Sequence, residues 1–545
     1  MRLASVLPAM VLTMASSTSW ADEASVGAVS PKATAVVATS AGRVHGLLDG
    51  GISTFKGIRY AAPPVGELRF MPPQPPQPWS NIQDATGLGA PCMQMYSPGG
   101  PRQSDFSTEM QALFPTGPET RQDNEDCLFL NVWTPAPDAK KRPVLFWIHG
   151  GGHAYGSGGW PAYDGRNLAA KGDVVVITVN HRLNAFGYMA LGERFPEFKQ
   201  VANVGDLDLV AALKWVQANA AAFGGDPGNV TIMGESGGGA KVSHLLAMPS
   251  AAGLFHKAVI QSGPGVTSGK QATNAALAGK VLDRLGVKTL ADLRVVDPHK
   301  LLDATRTEMD AGGGYRMGGP NFGPVVDGSV LPRDPFAPSA PEISKAVPVM
   351  IGWNKDEMTI FNAAQPWFGA LDDAALDRMA PMFGPGAAAL IANYRKENPD
   401  YSPSHIANRA MGARFAQGTY ILADRKADQK GAPVYVYRLT YETKVQGGLY
   451  KSPHTLDIPF MFNNVDKARV LVGPGKDPEK LAAMMSDAWL SFARTGKPAS
   501  KLLPAWPAYD STNRPVMEFD VVPAVRNDPE KGAREILSRP SGATP

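Results

Sequence analysis

Six short apolar runs rich in β-branched residues set the first constraint on what this chain can fold into. They are residues 143–150 (PVLFWIHG), 173–180 (DVVVITVN), 229–236 (NVTIMGES), 257–263 (KAVIQSG), 347–353 (VPVMIGW) and 433–439 (PVYVYRL). Each is close to continuously apolar rather than alternating, the pattern of a strand buried on both faces. Such a sheet needs helices on both sides, and the intervening sequence offers them. Leu209, Leu213, Val216 and Ala220 recur at helical spacing within residues 206–223, and Leu481, Met485, Ala488 and Phe492 do so within 479–494. The expected fold class is α/β, with a mostly parallel central sheet covered by helices on both faces.

No Ser/Gly-rich linker, long charge run or internal repeat divides the 545 residues, so one large domain with loop and helical insertions is expected over residues 22–545. The proline cluster at residues 72–78 reads as an extended surface segment. Ahead of the domain, a single arginine, an apolar run from Leu3 to Ala15 and small residues ending at Ala21 form the pattern of a secretory signal peptide over residues 1–21. Cleavage is expected after Ala21. Its apolar run is too short to span a bilayer comfortably, and no later run reaches about 18 residues, so a secreted or periplasmic chain without a membrane span is expected. In an exported chain the two cysteines, Cys92 and Cys127, are expected to form one disulfide. The 53 basic residues against 50 acidic ones leave a formal charge of +3, which provides no general field for nucleic acid or membrane and suits a small neutral or mixed substrate.

Chemistry concentrates at Gly234-Glu235-Ser236-Gly237-Gly238, a G-x-S-x-G motif between the apolar run Val230–Met233 and a helix-compatible stretch. In that context the motif is a nucleophile elbow, a tight turn that projects the serine hydroxyl from the end of the sheet. A serine attacks a carbonyl only with a base to take its proton and fixed donors for the resulting oxyanion. The donor loop is HGGG, His149–Gly152, directly after another strand; the amides of Gly151, Gly152 and Gly237 make a three-donor oxyanion hole. Nine histidines compete for the role of base. Where an elbow carries the serine, the acid and then the histidine follow it in the chain, which leaves His405 and His454. His405 opens a helical pattern, whereas His454 lies in a loop after a late strand and is the better candidate. The acid should stand at a strand end between nucleophile and base. Asp356 and Glu357 both do, and spacing does not separate them.

The segments FKGIRYAAPPVGELRF (55–70), EDCLFLNVW (125–133), HGGGHAYGSG (149–158), VNHRLNAFGY (179–188) and FGGDPGNVTIMGESGGG (223–239) resemble the type-B carboxylesterase and lipase family, which includes the cholinesterases. The resemblance continues through KAVIQSG, NKDE, SPHTLDIPF and WPAYD (506–510) and covers nearly the whole mature chain. It implies an α/β-hydrolase fold, a Ser236-Glu357-His454 triad, a Cys92–Cys127 disulfide, and supporting groups at Glu235 and Ser262. It also implies hydrolysis of small carboxylic esters through an acyl-enzyme, with no metal or organic cofactor. Cleavage of a related acyl bond (amide, carbamate or lactone) and a non-catalytic binding module are the rival functions. The chain departs from the family pattern at Arg59, at His153 after the HGGG glycines, at Met358 after the acid and at Thr455 after the histidine. His153 and Tyr155, beside the oxyanion loop, are candidate substrate-pocket residues.

Overall fold

The computed structural model describes residues 32–95, 109–116, 122–199, 201–312, 321–384 and 386–539; the signal peptide expected over residues 1–21 lies outside them. Among the described residues one sheet contains twelve strands. In chain order they are β1 (Lys32–Ala33), β2 (Leu47–Asp49), β3 (Ile52–Arg59), β4 (Phe129–Thr134), β5 (Arg142–Ile148) and β6 (Val175–Val179). There follow β7 (Gly225–Glu235), β8 (Lys257–Gln261), β9 (Val349–Asn354), β10 (Val434–Leu439), β11 (Pro515–Phe519) and β12 (Ala524–Asn527). Their spatial order is β1-β2-β3-β4-β6-β5-β7-β8-β9-β10-β11-β12. The seven strands from β6 to β11 run parallel, with antiparallel strands added at both edges.

Successive residues of a strand face opposite sides of the sheet, so each central strand serves two cores. Phe146, Ile148, Ile177, Val230 and Ile232 pack on one side with the helices α1 (Val204–Asn219), α2 (Gly237–Ala247) and α3 (Pro403–Asp428). Leu145, Trp147, Val176, Met233 and Met350 pack on the other with α4 (Asp477–Thr495). The helical faces expected from spacing are the buried ones: Leu209, Leu213, Val216, Leu481, Met485, Ala488 and Phe492 are all fully enclosed. The sequence pattern found β5 to β10 but not β4, because Asn131 interrupts its apolar run. Inside the sheet Asn131 is satisfied, donating to Thr178 Oγ1 at 3.0 Å and accepting the Gly57 amide at 3.0 Å. The edge strands β1 to β3 are short or broken by a register shift between Phe55 and Ile58, which blurs their alternation.

Cys92 and Cys127 form a disulfide with Cα atoms 4.9 Å apart. The proline cluster at 72–78 is extended and largely on the surface. No helix among the described residues is long and apolar enough to cross a membrane. What matters for chemistry is that β5, β7, β8, β9 and β10 run parallel. Their carboxyl ends deliver His149, Ser236, Ser262, Glu357 and the loop of His454 to one edge of the sheet.

Candidate active site

β7 ends at Glu235 and α2 begins at Gly237, so Ser236 alone makes the turn, with φ 58° and ψ −124°. A non-glycine residue adopts such a backbone only when its surroundings impose it. Here the Ser236 amide donates to the Gln261 carbonyl at 2.8 Å, and the Ser236 carbonyl accepts the Ala240 amide at 3.1 Å. Close backbone approach does the rest. A Cβ on Gly263 would overlap the Ser236 carbonyl, and one on Gly238 would overlap that of Ile148.

The His149–Gly152 loop leaves β5 at His149, and Gly151 and Gly152 take positive φ of 82° and 61°. A Cβ on Gly237 would lie 2.5 Å from Gly152 Cα, so loop and elbow touch backbone to backbone. Gly237 is the first residue of α2, whose amide has no acceptor within the helix. Among the described residues neither it nor the amides of Gly151 and Gly152 donate in a backbone hydrogen bond.

His454 Nδ1 lies 2.5 Å from Glu357 Oε2, and Glu357 Oε1 accepts the Asn354 amide at 2.8 Å. The neighbouring acid is engaged elsewhere: Asp356 accepts the Ser452 amide at 3.2 Å and the Tyr401 hydroxyl at 3.3 Å. Geometry thus separates two residues that spacing could not. The other ring nitrogen, Nε2, points at the elbow but lies 3.1 Å from Glu235 Oε1, with no hydrogen bond to Ser236. His454, Glu235 and Glu357 are each at most 3% exposed. Burial raises the Glu235 carboxyl to about 8, with Asp457 and Glu357 adding to the rise against the pull of His454. For His454 burial works against the charge, but Glu235 and Glu357 outweigh it and push the imidazole up to about 9. Ser262, the other supporting candidate, follows Gln261 with φ 47°; its hydroxyl is buried without a partner among the described residues.

Beneath Ser236, Glu357 and His454 lies a network that sequence reasoning did not find. Asp457 accepts from Tyr437 Oη at 2.7 Å and Gln261 Nε2 at 2.9 Å, and Gln261 Oε1 accepts from Trp489 at 3.1 Å. The available signal was a glutamine at the end of an apolar strand. Lys241 was also missed. It is fully buried in α2 and donates to the Gly152 carbonyl at 2.7 Å.

Of the candidate pocket residues, His153 is half-buried, edge-on to Tyr188 at 5.2 Å and near-parallel to His244 at 6.1 Å. Burial and the Lys241 charge hold its imidazole well below the usual range. Tyr155 is half-buried with its ring 6.4 Å from Trp160. Among the described residues, the aromatic rings of Phe361, at 4.9 Å, and Phe415 from α3, at 5.4 Å, pack against His454. The departure at Arg59 has a local cause: it clasps Asp126 at 2.5 and 2.8 Å above the Phe129 ring. At Thr455 the backbone takes φ 71°, a conformation in which a β-branched residue is strained.

The carboxylesterase family model matches residues 33–536. Para-nitrobenzyl esterase of Bacillus subtilis (strain 168) is 34% identical over 512 residues, covering 92% of this chain and 98% of that protein. Phenmedipham hydrolase of Pseudarthrobacter oxydans is 33% identical over 495 residues, covering 88% and 94%. Among solved structures, a Geobacillus stearothermophilus carboxylesterase superposes with a TM-score of 0.77 at 39% identity, covering 92% of this chain and 99% of that one. With its parallel sheet, elbow and helical cover, the chain belongs to the carboxylesterase family and is a carboxylic ester hydrolase of the α/β-hydrolase fold.

Proposed function

We propose that the protein is an exported serine esterase, a single domain over residues 22–545, that hydrolyses small carboxylic esters through an acyl-enzyme on Ser236. The observation that carries this reading is the 2.5 Å Glu357–His454 contact, which orients a buried imidazole whose other nitrogen faces the elbow. In the first half-reaction Ser236 Oγ attacks the ester carbonyl while His454 Nε2 takes the hydroxyl proton, and Glu357 stabilises the resulting imidazolium. The new oxyanion receives the amides of Gly151, Gly152 and Gly237, free donors that need no reorganisation. The leaving alcohol takes the proton from His454. Water then repeats the sequence on the acyl-enzyme and frees the acid. Phe361 and Phe415 beside His454 favour an apolar or aromatic ester group over a charged one. The disulfide supports export to an oxidising compartment.

Ser236→Ala is expected to abolish hydrolysis of p-nitrophenyl butyrate with the melting temperature unchanged, and an organophosphonate is expected to label wild-type Ser236 stoichiometrically. Substantial turnover by the alanine variant, or labelling elsewhere, would remove the assignment.

A further inference from the structure

Lys241 stands where a lysine is costly. It lies within the first two turns of α2, near the positive end of the helix dipole, and is fully enclosed. Helical side chains lean toward the amino terminus of their helix, and this one reaches back past the elbow to the Gly152 carbonyl at 2.7 Å. Around it are four buried or half-buried imidazoles: His149, His153, His181 and His244. Burial lowers all four and the Lys241 charge lowers them further, so the imidazoles stay neutral around it. The acid that attracts it is Asp206 at the start of α1, a buried carboxyl that accepts from Tyr188 Oη at 3.1 Å and lies 3.5 Å from His244 Nδ1. Gly152, by contrast, has positive φ and no side chain to fix it.

We propose that Lys241 is a positioning residue for the oxyanion hole: its buried Nζ donor pins the Gly152 carbonyl, so that the Gly152 amide is held against the elbow. The inference deepens the proposed serine-esterase reading and rests on it. A donor aimed before the reaction costs no reorganisation during it. The competing role is purely structural, with Lys241 serving only to neutralise Asp206.

Three variants separate the two roles. Lys241→Met removes donor and charge while keeping the length of the side chain. Lys241→Met with Asp206→Asn leaves no unpaired carboxylate and so restores the balance of buried charge. Lys241→Gln keeps a donor without the charge. On p-nitrophenyl butyrate both methionine variants are expected to lose about 10- to 100-fold in kcat, with a much smaller change in KM, less than the roughly 100- to 1,000-fold that follows outright removal of one oxyanion donor, because the Gly152 amide is misaimed rather than lost. A trifluoromethyl ketone, whose adduct with serine carries the oxyanion, should weaken by a similar factor, and Lys241→Gln should recover part of both losses. The double variant should melt near the wild-type temperature yet remain slow. Full recovery of kcat in the double variant, or an unchanged kcat in Lys241→Met, would overturn the proposal. If Ser236→Ala retains turnover, the underlying esterase reading fails; if it is inactive while Lys241→Met is unimpaired, only the role of Lys241 fails.

Discussion

Glu235 and His454 are buried side by side against Glu357, and burial together with the neighbouring charges sets the charge of the imidazole and of the Glu235 carboxyl. A general base works only when unprotonated, and a neighbouring negative charge makes the imidazole harder to deprotonate. Glu235, 3.1 Å from His454 Nε2, is the strongest charge raising His454. The sign follows directly. Glu235→Gln removes that negative charge, lowers the pKa of His454, and moves the acid limb of the kcat/KM profile to lower pH by about one unit or more, the usual effect of a charge within contact distance. A pH profile of the variant beside wild type checks this. A limb that does not move would leave Glu235 as a hydrogen-bonding or packing group without electrostatic influence on the base.

Where strands hand over to loops and helices, space decides what the backbone can do. The carboxyl end of β8 supports the elbow, and at Gly263 any side chain would press on the Ser236 carbonyl. Gly263→Ala is therefore expected to displace Ser236, the proposed nucleophile, with kcat/KM falling by about 100-fold, as befits a displacement on the order of 1 Å at a reacting group, and with a lower melting temperature. Gly279, inside the helix Gln271–Arg284, has nothing within 4 Å of where a Cβ would sit. Gly279→Ala should instead stabilise the protein by about 0.5–1 kcal/mol through helix propensity, with activity unchanged. Thermal melts and steady-state kinetics on the two variants test both statements; similar effects from the two glycines would contradict the argument from space. The same distinction governs what sequence reading could reach. β5 to β10 were legible because burial on both faces writes a continuous apolar run, and Ser236, the HGGG loop and His454 were legible because local context and chain order define them. Asp356 and Glu357 are adjacent residues at one strand end, and only the fold sends one to Ser452 and Tyr401 and the other to His454. Lys241 and Asp206 stayed hidden for a related reason. A lone charge in a helical pattern reads as solvent-facing, and their burial comes from helices packing on the sheet.

The last segment of the chain is tied to the site by charge as well as by packing. Glu530 is enclosed and accepts from Arg409 of α3 at 2.6 Å, from Arg438 of β10 at 2.5 Å and from Tyr394 at 3.0 Å. Arg409 also donates to the Lys355 carbonyl, two residues before Glu357, so one buried carboxylate links the helix Lys531–Leu537, the sheet and the loop that carries Glu357. Burial opposes the charge on Glu530, but Arg409 and Arg438 outweigh it and hold the carboxyl below its ordinary range. A depressed carboxylate stabilises the fold fully above the unfolded glutamate value of about 4.3, and that contribution is lost as pH falls through the lower folded value. Glu530→Gln keeps the shape but leaves the buried Arg409 guanidinium without its ion-pair partner and Arg438 with Glu518 alone, which should cost about 3–5 kcal/mol near neutral pH. Denaturant midpoints measured from pH 7 down through pH 4 to 3 test this, with the gap between variant and wild type expected to narrow only at the acid end. A gap that stays constant across that range would assign the loss to packing around the amide rather than to the missing charge.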